Sequence, residues 1–251
     1  MNQARRKKIV ELLEKQGAVT NGELMETFDI SIETVRRDLA YLEKCGLLER
    51  VYGGAVKRKF MREEPTYDNR ESKNFQEKTA IAKRASEYIE ENENVFFDIG
   101  TTALAVAEQA NVEKSFKGFT NSLRVAISLS ERNIDVTLTG GNVRKGEHCV
   151  SGGIAESTMR LFNIDKAFIG AAGIDENGVT DFIPQEAFLR RQVLENARKV
   201  ILIADSSKFG VRAACNVCSI EEIDVLITDE KAPKETLKKI QKKGVTVVVV
   251  K

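Results

Sequence analysis

The run Asp98-Ile99-Gly100-Thr101-Thr102 places a carboxylate, a glycine and two hydroxyls where an apolar stretch gives way to a helical pattern. Glycine lets the backbone approach a ligand closely, and the unpaired amides that open a helix, with its dipole, favour a phosphate. Comparable turns follow later apolar stretches: Thr120-Asn121-Ser122, Gly140-Gly141-Asn142 and Gly170-Ala171-Ala172-Gly173. Asp205-Ser206-Ser207-Lys208 follows another and adds a cation. Five such loops at strand ends are expected to form one polar crevice. Lys208 would neutralise a phosphate there, while Asp98, Asn121 and Asp205 would bind sugar hydroxyls, and Glu186, Arg190 and Arg191 on one helix would line the rim. The candidate effector-binding set is therefore Asp98, Gly100, Thr101, Thr102, Asn121, Gly140, Gly141, Gly170, Gly173, Glu186, Arg190, Asp205 and Lys208. The alternative is that these loops only turn the chain.

The same residues admit a second chemistry. A carboxylate and a lysine beside a sugar phosphate can move protons in an aldose–ketose isomerisation, with Asp98, Asp205, Glu186 and Lys208 as the candidates. Cys215-Asn216-Val217-Cys218 has the spacing of zinc and redox sites, but it has no second ligand pair, and the single histidine, His148, lies far away beside Cys149. The cysteines are expected to be reduced structural or surface thiols. No metal and no cofactor is expected.

A second constellation lies near the N-terminus. Arg36 and Arg37 stand among Ser31, Glu33, Thr34 and Lys44, away from an apolar stripe of Ile32, Val35, Leu39 and Leu42. An arginine fork matches the O6 and N7 acceptors of guanine, and hydroxyls reach phosphates or base edges. Asp38 would meet phosphate repulsion, so it is expected to hold an arginine in place. Arg50, Tyr52, Gly53 and Gly54 fall in a turn that would bring backbone to the sugar-phosphate chain. The candidate DNA-binding set is Ser31, Glu33, Thr34, Arg36, Arg37, Lys44, Arg50, Tyr52, Gly53 and Gly54, with Lys57 and Arg58 as further phosphate contacts. The alternatives are a merely solvated helix face, or a module that docks on a protein partner.

These residues need scaffolds. Ile9, Leu12 and Leu13 mark a first helix; Thr20-x-x-Glu23 is a capping box that opens a second, burying Leu24 and Phe28; Asp29-Ile30 is a turn; Ser31 caps the third, and Gly46 stops it. A strand over 47–52, a Gly53-Gly54 turn and a return strand complete a winged helix-turn-helix over 1–57. Residues 58–75, charged and interrupted by Pro65, are expected to be a linker. Residues 76–251 alternate strands (95–98, 116–120, 136–139, 166–170, 200–204, 225–228, 245–250) with helices (79–91, 102–109, 123–131, 185–196, 233–243). The fold class is α/β: a mainly parallel sheet with helices on its faces, which binds ligands at the C-terminal ends of its strands.

Composition agrees with this division. The 251 residues are 42% apolar and 31% charged, enough for a real core. Net charge is +1, yet residues 1–60 hold 12 Lys/Arg against 9 Asp/Glu, a basic head on an acidic body. No run approaches the roughly 18–20 apolar residues of a membrane span. Lys7-Lys8 leads into an amphipathic helix rather than a leader, so a cytoplasmic location without membrane association is expected.

The segments Ser31-Ile32-Glu33-Thr34-Val35-Arg36-Arg37-Asp38-Leu39 and Tyr52-Gly53-Gly54-Ala55, together with the body, resemble the DeoR family of bacterial regulators. The family often has histidine before the paired glycines, where this chain has Tyr52, and its usual helix lysine is replaced around Leu189-Arg190. The resemblance implies an effector domain like the ribose-5-phosphate isomerase fold, with Asp98–Thr102, Asp205 and Lys208 at matching positions. It also implies a repressor of a carbohydrate-utilisation operon that binds double-stranded operator DNA and responds to a phosphorylated sugar. With a DNA-binding head attached, the crevice is expected to sense rather than catalyse. A single head covers little DNA, so a homodimer or homotetramer joined through the body is expected.

Overall fold

Thr20 ends one element and begins the next. Its side chain accepts a hydrogen bond from the Glu23 amide at 3.2 Å, and Glu23 returns the bond to the Thr20 amide at 2.7 Å, so the expected capping box is formed. The computed structural model describes residues 2–44, 47–56, 59–60 and 64–251, and the chain divides into two compact units, Met1–Phe60 and Met61–Lys251. The first contains α1 (Asn2–Gln16), β1 (Ala18–Thr20), α2 (Asn21–Phe28), α3 (Ile32–Lys44), β2 (Glu49–Val51), β3 (Gly54–Val56) and β4 (Lys59–Phe60). Ile9 and Leu13 from α1, Leu24 from α2, and Val35, Leu39 and Leu42 from α3 are all buried in one core with Val19, Leu48 and Ala55. The wing is larger than the expected hairpin, because β1 joins it in an antiparallel sheet of order β1-β3-β2. Three residues are too few to show a strand period. Cys45, Gly46, Lys57, Arg58 and the side chain of Lys44 lie outside the described residues.

The second unit opens with α4 (Tyr67–Ser72) and α5 (Phe75–Ser86). There follow β5 (Asn94–Phe97), α6 (Thr101–Gln109), β6 (Lys117–Thr120), α7 (Leu123–Glu131), β7 (Val136–Leu138), β8 (Asn142–Arg144), β9 (Cys149–Ser151), α8 (Gly153–Met159), β10 (Ile164–Ile169), β11 (Gly173–Ile174) and β12 (Gly178–Asp181). The remainder is α9 (Pro184–Asn196), β13 (Ala197–Ile203), β14 (Val211–Arg212), β15 (Cys215–Ser219), β16 (Val225–Asp229), α10 (Lys234–Lys242) and β17 (Thr246–Val250). The seven expected strands form one parallel sheet of order β17-β16-β13-β10-β5-β6-β7.

Side chains on these strands alternate between two cores, as a period of two requires. Phe96, Ala167, Ile169, Val200, Leu202 and Leu226 point to one face, against α8, α9 and α10. Val95, Phe97, Phe168, Ile201, Ile203, Val225 and Ile227 point to the other, against α5, α6 and α7. The span expected as a linker, 58–75, instead contains a helix. Tyr67 of α4 is 4% exposed, with the Arg124 guanidinium 4.1 Å over its ring. A six-residue helix spans under two turns, so no apolar period betrays it.

Candidate functional site

The third helix of the head turns the expected residues outward. Ser31, Glu33, Arg36 and Arg37 are exposed, and Thr34 is half-buried. The Ser31 hydroxyl accepts from the Thr34 amide at 3.4 Å, and the Glu33 carboxyl lies below its ordinary range because the helix-opening amide and Ser31 bond to it. On the inner side of α3, Asp38 is fully buried and accepts from Arg5 Nε at 2.6 Å and Arg6 Nε at 2.8 Å. Arg6 also stacks 3.7 Å from the Tyr41 ring centroid. Asp38 therefore locks α3 to α1 and aims the outer face.

Two residues of the wing have roles within the head itself. Arg50 is tied to Glu43, with Nε at 2.9 Å and its amide at 3.0 Å from the carboxylate, so it braces β2 against α3. Gly54 is required by packing inside the head: a Cβ there would lie 2.0 Å from the Val19 carbonyl oxygen, because β1 passes so close. Tyr52 is fully exposed, and Gly53 takes the left-handed φ of 88° that makes the turn.

In the body, strand order reverses between β5 and β10, with β6 and β7 on one side and β13, β16 and β17 on the other. A crevice opens at such a point because the two connecting helices depart to opposite faces. The loops after β5 and β10 are joined there: Asp98 Oδ2 accepts from the Gly170 amide at 2.8 Å and from Arg190 Nε at 2.6 Å. Arg190, on α9, also pairs with Asp181. All three charged groups are buried. Burial raises the Asp98 carboxyl above its ordinary value, against the pull of Arg190.

Above this cluster is a cavity of about 180 Å³. Gly100, at φ 104°, opens α6 without a side-chain cap, and residues 100–103 line the cavity, which leaves the free amides of the first turn of α6 beside it. Lys208, Lys73, Lys78 and Arg70 line it from other elements. Lys78 donates to the carbonyls of Arg70 and Lys73, and Arg70 pairs with Glu64 and Glu147. Among the described residues, Lys208 and Lys73 have no carboxylate within ion-pair range. Burial lowers the pKa of Lys208, Asp205 opposes the shift, and Arg70 and Lys73 reinforce it. Helix-opening amides and two unpaired ammonium groups thus face one space short of negative charge, a setting that favours an anion.

Of the expected effector-binding residues, Gly100, Thr101, Thr102, Gly170, Glu186, Arg190, Asp205 and Lys208 line this cavity. Asp98 supports it from beneath. Asp205 accepts from Asn74 at 2.7 Å and from the Ser207 hydroxyl at 2.6 Å. Glu186 pairs with Arg144, and burial pushes its carboxyl up to about 6. Asn121, Gly140, Gly141 and Gly173 are not among the lining residues. The Asn121 amide donates to the Val150 carbonyl at 3.2 Å; Gly140 and Gly141 lead into the β8–β9 hairpin; Gly173 packs against the Val211 backbone. Arg191 donates to the carbonyls of Val217 and Asn216 and faces a separate cavity. Sequence reasoning missed Arg70, Lys73, Lys78 and Asp181. The first two lie in the supposed linker, where the one signal is a pair of basic residues three positions apart after Pro65. Cys215 and Cys218 are free and sit on β15, and burial pushes the Cys218 thiol up to about 12. No group of residues suited to a metal occurs among the described residues, and no described helix is long and apolar enough to cross a membrane.

Comparison with known proteins matches residues 5–59 to the DeoR-like helix-turn-helix domain and residues 73–230 to the DeoR C terminal sensor domain. The chain is 40% identical over 245 residues to the HTH-type transcriptional regulator GlpR of Haloferax volcanii, covering 97% of this chain and 96% of the relative. It is 35% identical over 227 residues to the glycerol-3-phosphate regulon repressor of Escherichia coli K12, covering 90% of each. Among solved structures, it is similar to ribose 5-phosphate isomerase A of Methanocaldococcus jannaschii at 17% identity and a TM-score of 0.41, covering 54% of this chain and 55% of that one. With both halves matched and relatives aligned over nearly its whole length, the chain belongs to the DeoR family of helix-turn-helix transcriptional regulators.

Proposed function

We propose that this regulator represses genes of carbohydrate or polyol use, binds operator DNA through α3 and the wing, and is controlled by a phosphorylated sugar or polyol held in the body cavity. One observation carries the effector half: the uncapped start of α6 faces Lys208 and Lys73 across a cavity that also offers carboxylates to hydroxyl groups. The name of the Escherichia coli relative, a glycerol-3-phosphate regulon repressor, supports a phosphate ester. On this reading α3 enters the major groove, with Arg36 and Arg37 as base readers and Ser31, Thr34 and Tyr52 near phosphates. Release from DNA requires that the ligand bind the DNA-incompetent arrangement more tightly.

The cavity senses and does not catalyse. Asp98 and Asp181 are held by Arg190, Asp205 by Asn74 and Ser207, and Glu186 by Arg144, so every candidate carboxylate is engaged, and Lys208 alone of the named proton movers is unpaired. Product analysis after incubation with pentose and hexose phosphates tests this; turnover would overturn it. The protein works in the cytoplasm as a homodimer or homotetramer, and light scattering that finds only monomer, with and without DNA, refutes the assembly.

The direct test of the effector is thermal denaturation with inorganic phosphate, glycerol 3-phosphate and pentose and hexose phosphates, each beside its unphosphorylated parent. A ligand at a hundred times its Kd adds about 2.7 kcal/mol of stability. No shift with any phosphorylated compound would sink the reading. A ligand that binds must then weaken retardation of an operator duplex selected from random sequence.

A further inference from the structure

Arg70 occupies a junction between the cavity and the first segment of the body. Its Nη2 pairs with Glu147 and lies 3.3 Å from Glu64, and its Nε donates to the Pro65 carbonyl at 3.1 Å. Glu64 also pairs with Arg144, and Arg144 with Glu186 of α9. The result is a row of alternating charge: Glu147, Arg70, Glu64, Arg144, Glu186. Three of its members, Glu64, Arg70 and Glu186, line the cavity. The Arg70 side chain is 16% exposed, so its ion pairs are only partly screened by water.

The same residue reaches the anion end. An ideal Cβ on Gly100 would lie 4.0 Å from Arg70 Nη1, which puts the guanidinium beside the opening of α6. The Arg70 carbonyl accepts from Lys78 Nζ and, at 3.5 Å, from the Thr101 hydroxyl. A phosphate ester at the start of α6 would border α4 directly at the Arg70 guanidinium, and indirectly through Lys78 of α5 and Thr101 of α6, which both donate to the Arg70 carbonyl. A guanidinium fork matches phosphate oxygens in bidentate fashion, so a bound dianion competes with Glu64 and Glu147 for it. Any movement of Arg70 toward a ligand would break its contacts with Glu64, Pro65 and Glu147. Glu64 and Pro65 are the first described residues of the body, and in sequence they follow the head.

Resting on the phosphate-ester reading above, we propose that Arg70 is the positioning residue that reports occupancy: a bound anion draws its guanidinium from Glu64 and Glu147, and segment 64–72 changes its arrangement. The ligand then binds two arrangements of that segment with unequal affinity, which is the physical requirement for it to act on a distant function.

Hydrogen exchange on the full chain tests this, with inorganic phosphate as the probe against chloride of equal ionic strength, for the wild type, Arg70→Gln and Glu147→Gln. In the wild type, phosphate slows exchange at the start of α6 and alters it in 66–72 by about fivefold or more. Arg70→Gln binds phosphate more weakly but, at saturating phosphate, still protects α6 while losing the response in 66–72. Glu147→Gln, which frees Arg70 for the anion, binds phosphate about fivefold more tightly. An Arg70→Gln response in 66–72 equal to the wild type overturns the proposal. Should that variant not fold, unchanged phosphate affinity in Glu147→Gln overturns it. Absence of α6 protection in the wild type overturns the phosphate reading itself, and this inference with it.

Discussion

Replacing Arg190 with methionine isolates the floor of the cavity from its ligand chemistry. Methionine fills most of the volume but leaves Asp98 and Asp181 buried without their shared cation. Two charge-assisted hydrogen bonds are lost, each worth about 1.5–3 kcal/mol, and removing one partner of a buried ion pair costs about 3–5 kcal/mol. Against a total stability of about 5–15 kcal/mol this is a large fraction. For a domain of this size it corresponds to a fall in Tm of about 6–20 °C. The deficit also depends on pH. The Asp98 carboxyl is already raised in the folded state, so the folded protein holds a proton there that the unfolded chain gives up at the ordinary value of 3.8. Stability from this group is present at low pH and lost as pH rises through that window. Removing Arg190 removes the main force opposing the shift, which widens the window upward. Circular dichroism melts suit a chain without tryptophan. The variant's deficit must be smaller at pH 5 than at pH 7.5. A fall under about 2 °C, or a deficit that grows on acidification, refutes the reasoning.

Other expectations follow from single contacts. Arg36→Ala with Arg37→Ala abolishes sequence-specific DNA binding in a gel-shift assay and flattens its salt dependence, while the melting curve moves by less than about 0.5 kcal/mol. Gly54→Ala destabilises the head by about 1–3 kcal/mol because its Cβ meets the Val19 carbonyl, and Gly53→Ala, which meets no atom within 4 Å, costs about 1–2 kcal/mol for its left-handed φ alone; comparative melts of residues 1–60 within the full chain rank the two. Iodoacetamide at pH 8 leaves Cys149 and Cys218 unmodified in the folded protein, since burial holds both thiols near 12, and peptide mass analysis reads the outcome.

The fold of the body was legible because the strands of its parallel sheet are largely apolar runs of three to seven residues closed by polar or glycine-rich turns, and because helices of nine or more residues separate most of them. Helix α7 begins and ends where the sequence places it, at Leu123 and Glu131. Short elements outside the parallel sheet were not legible: β1, the β8–β9 hairpin, the antiparallel sheet of β11, β12 and β15, and α4. The cavity was legible where a loop at a strand end supplies the residue, as at Gly100, Gly170 and Asp205. It was illegible where a surface helix supplies it. Arg70 and Lys78 look like solvated charges in a one-dimensional reading, and only the packing of α4 and α5 turns them inward. Asp98 carried a true signal with the wrong role. A carboxylate at a strand end suggested a hydroxyl binder, but burial beside Arg190 makes it part of the frame.

The buried Asp38 changes how the charge of the head is counted. Residues 1–60 carry 12 lysines and arginines, which would suggest a wide electrostatic footprint on DNA. Arg5 and Arg6 share the single negative charge of Asp38, and Arg50 pairs with Glu43. Groups already paired within the protein displace few condensed counterions from a duplex. Each phosphate newly neutralised contributes about −0.9 to the slope of log affinity against log salt. A winged helix that ties three arginines into its own frame is thus expected to show a shallower ionic dependence on DNA than its number of basic residues suggests.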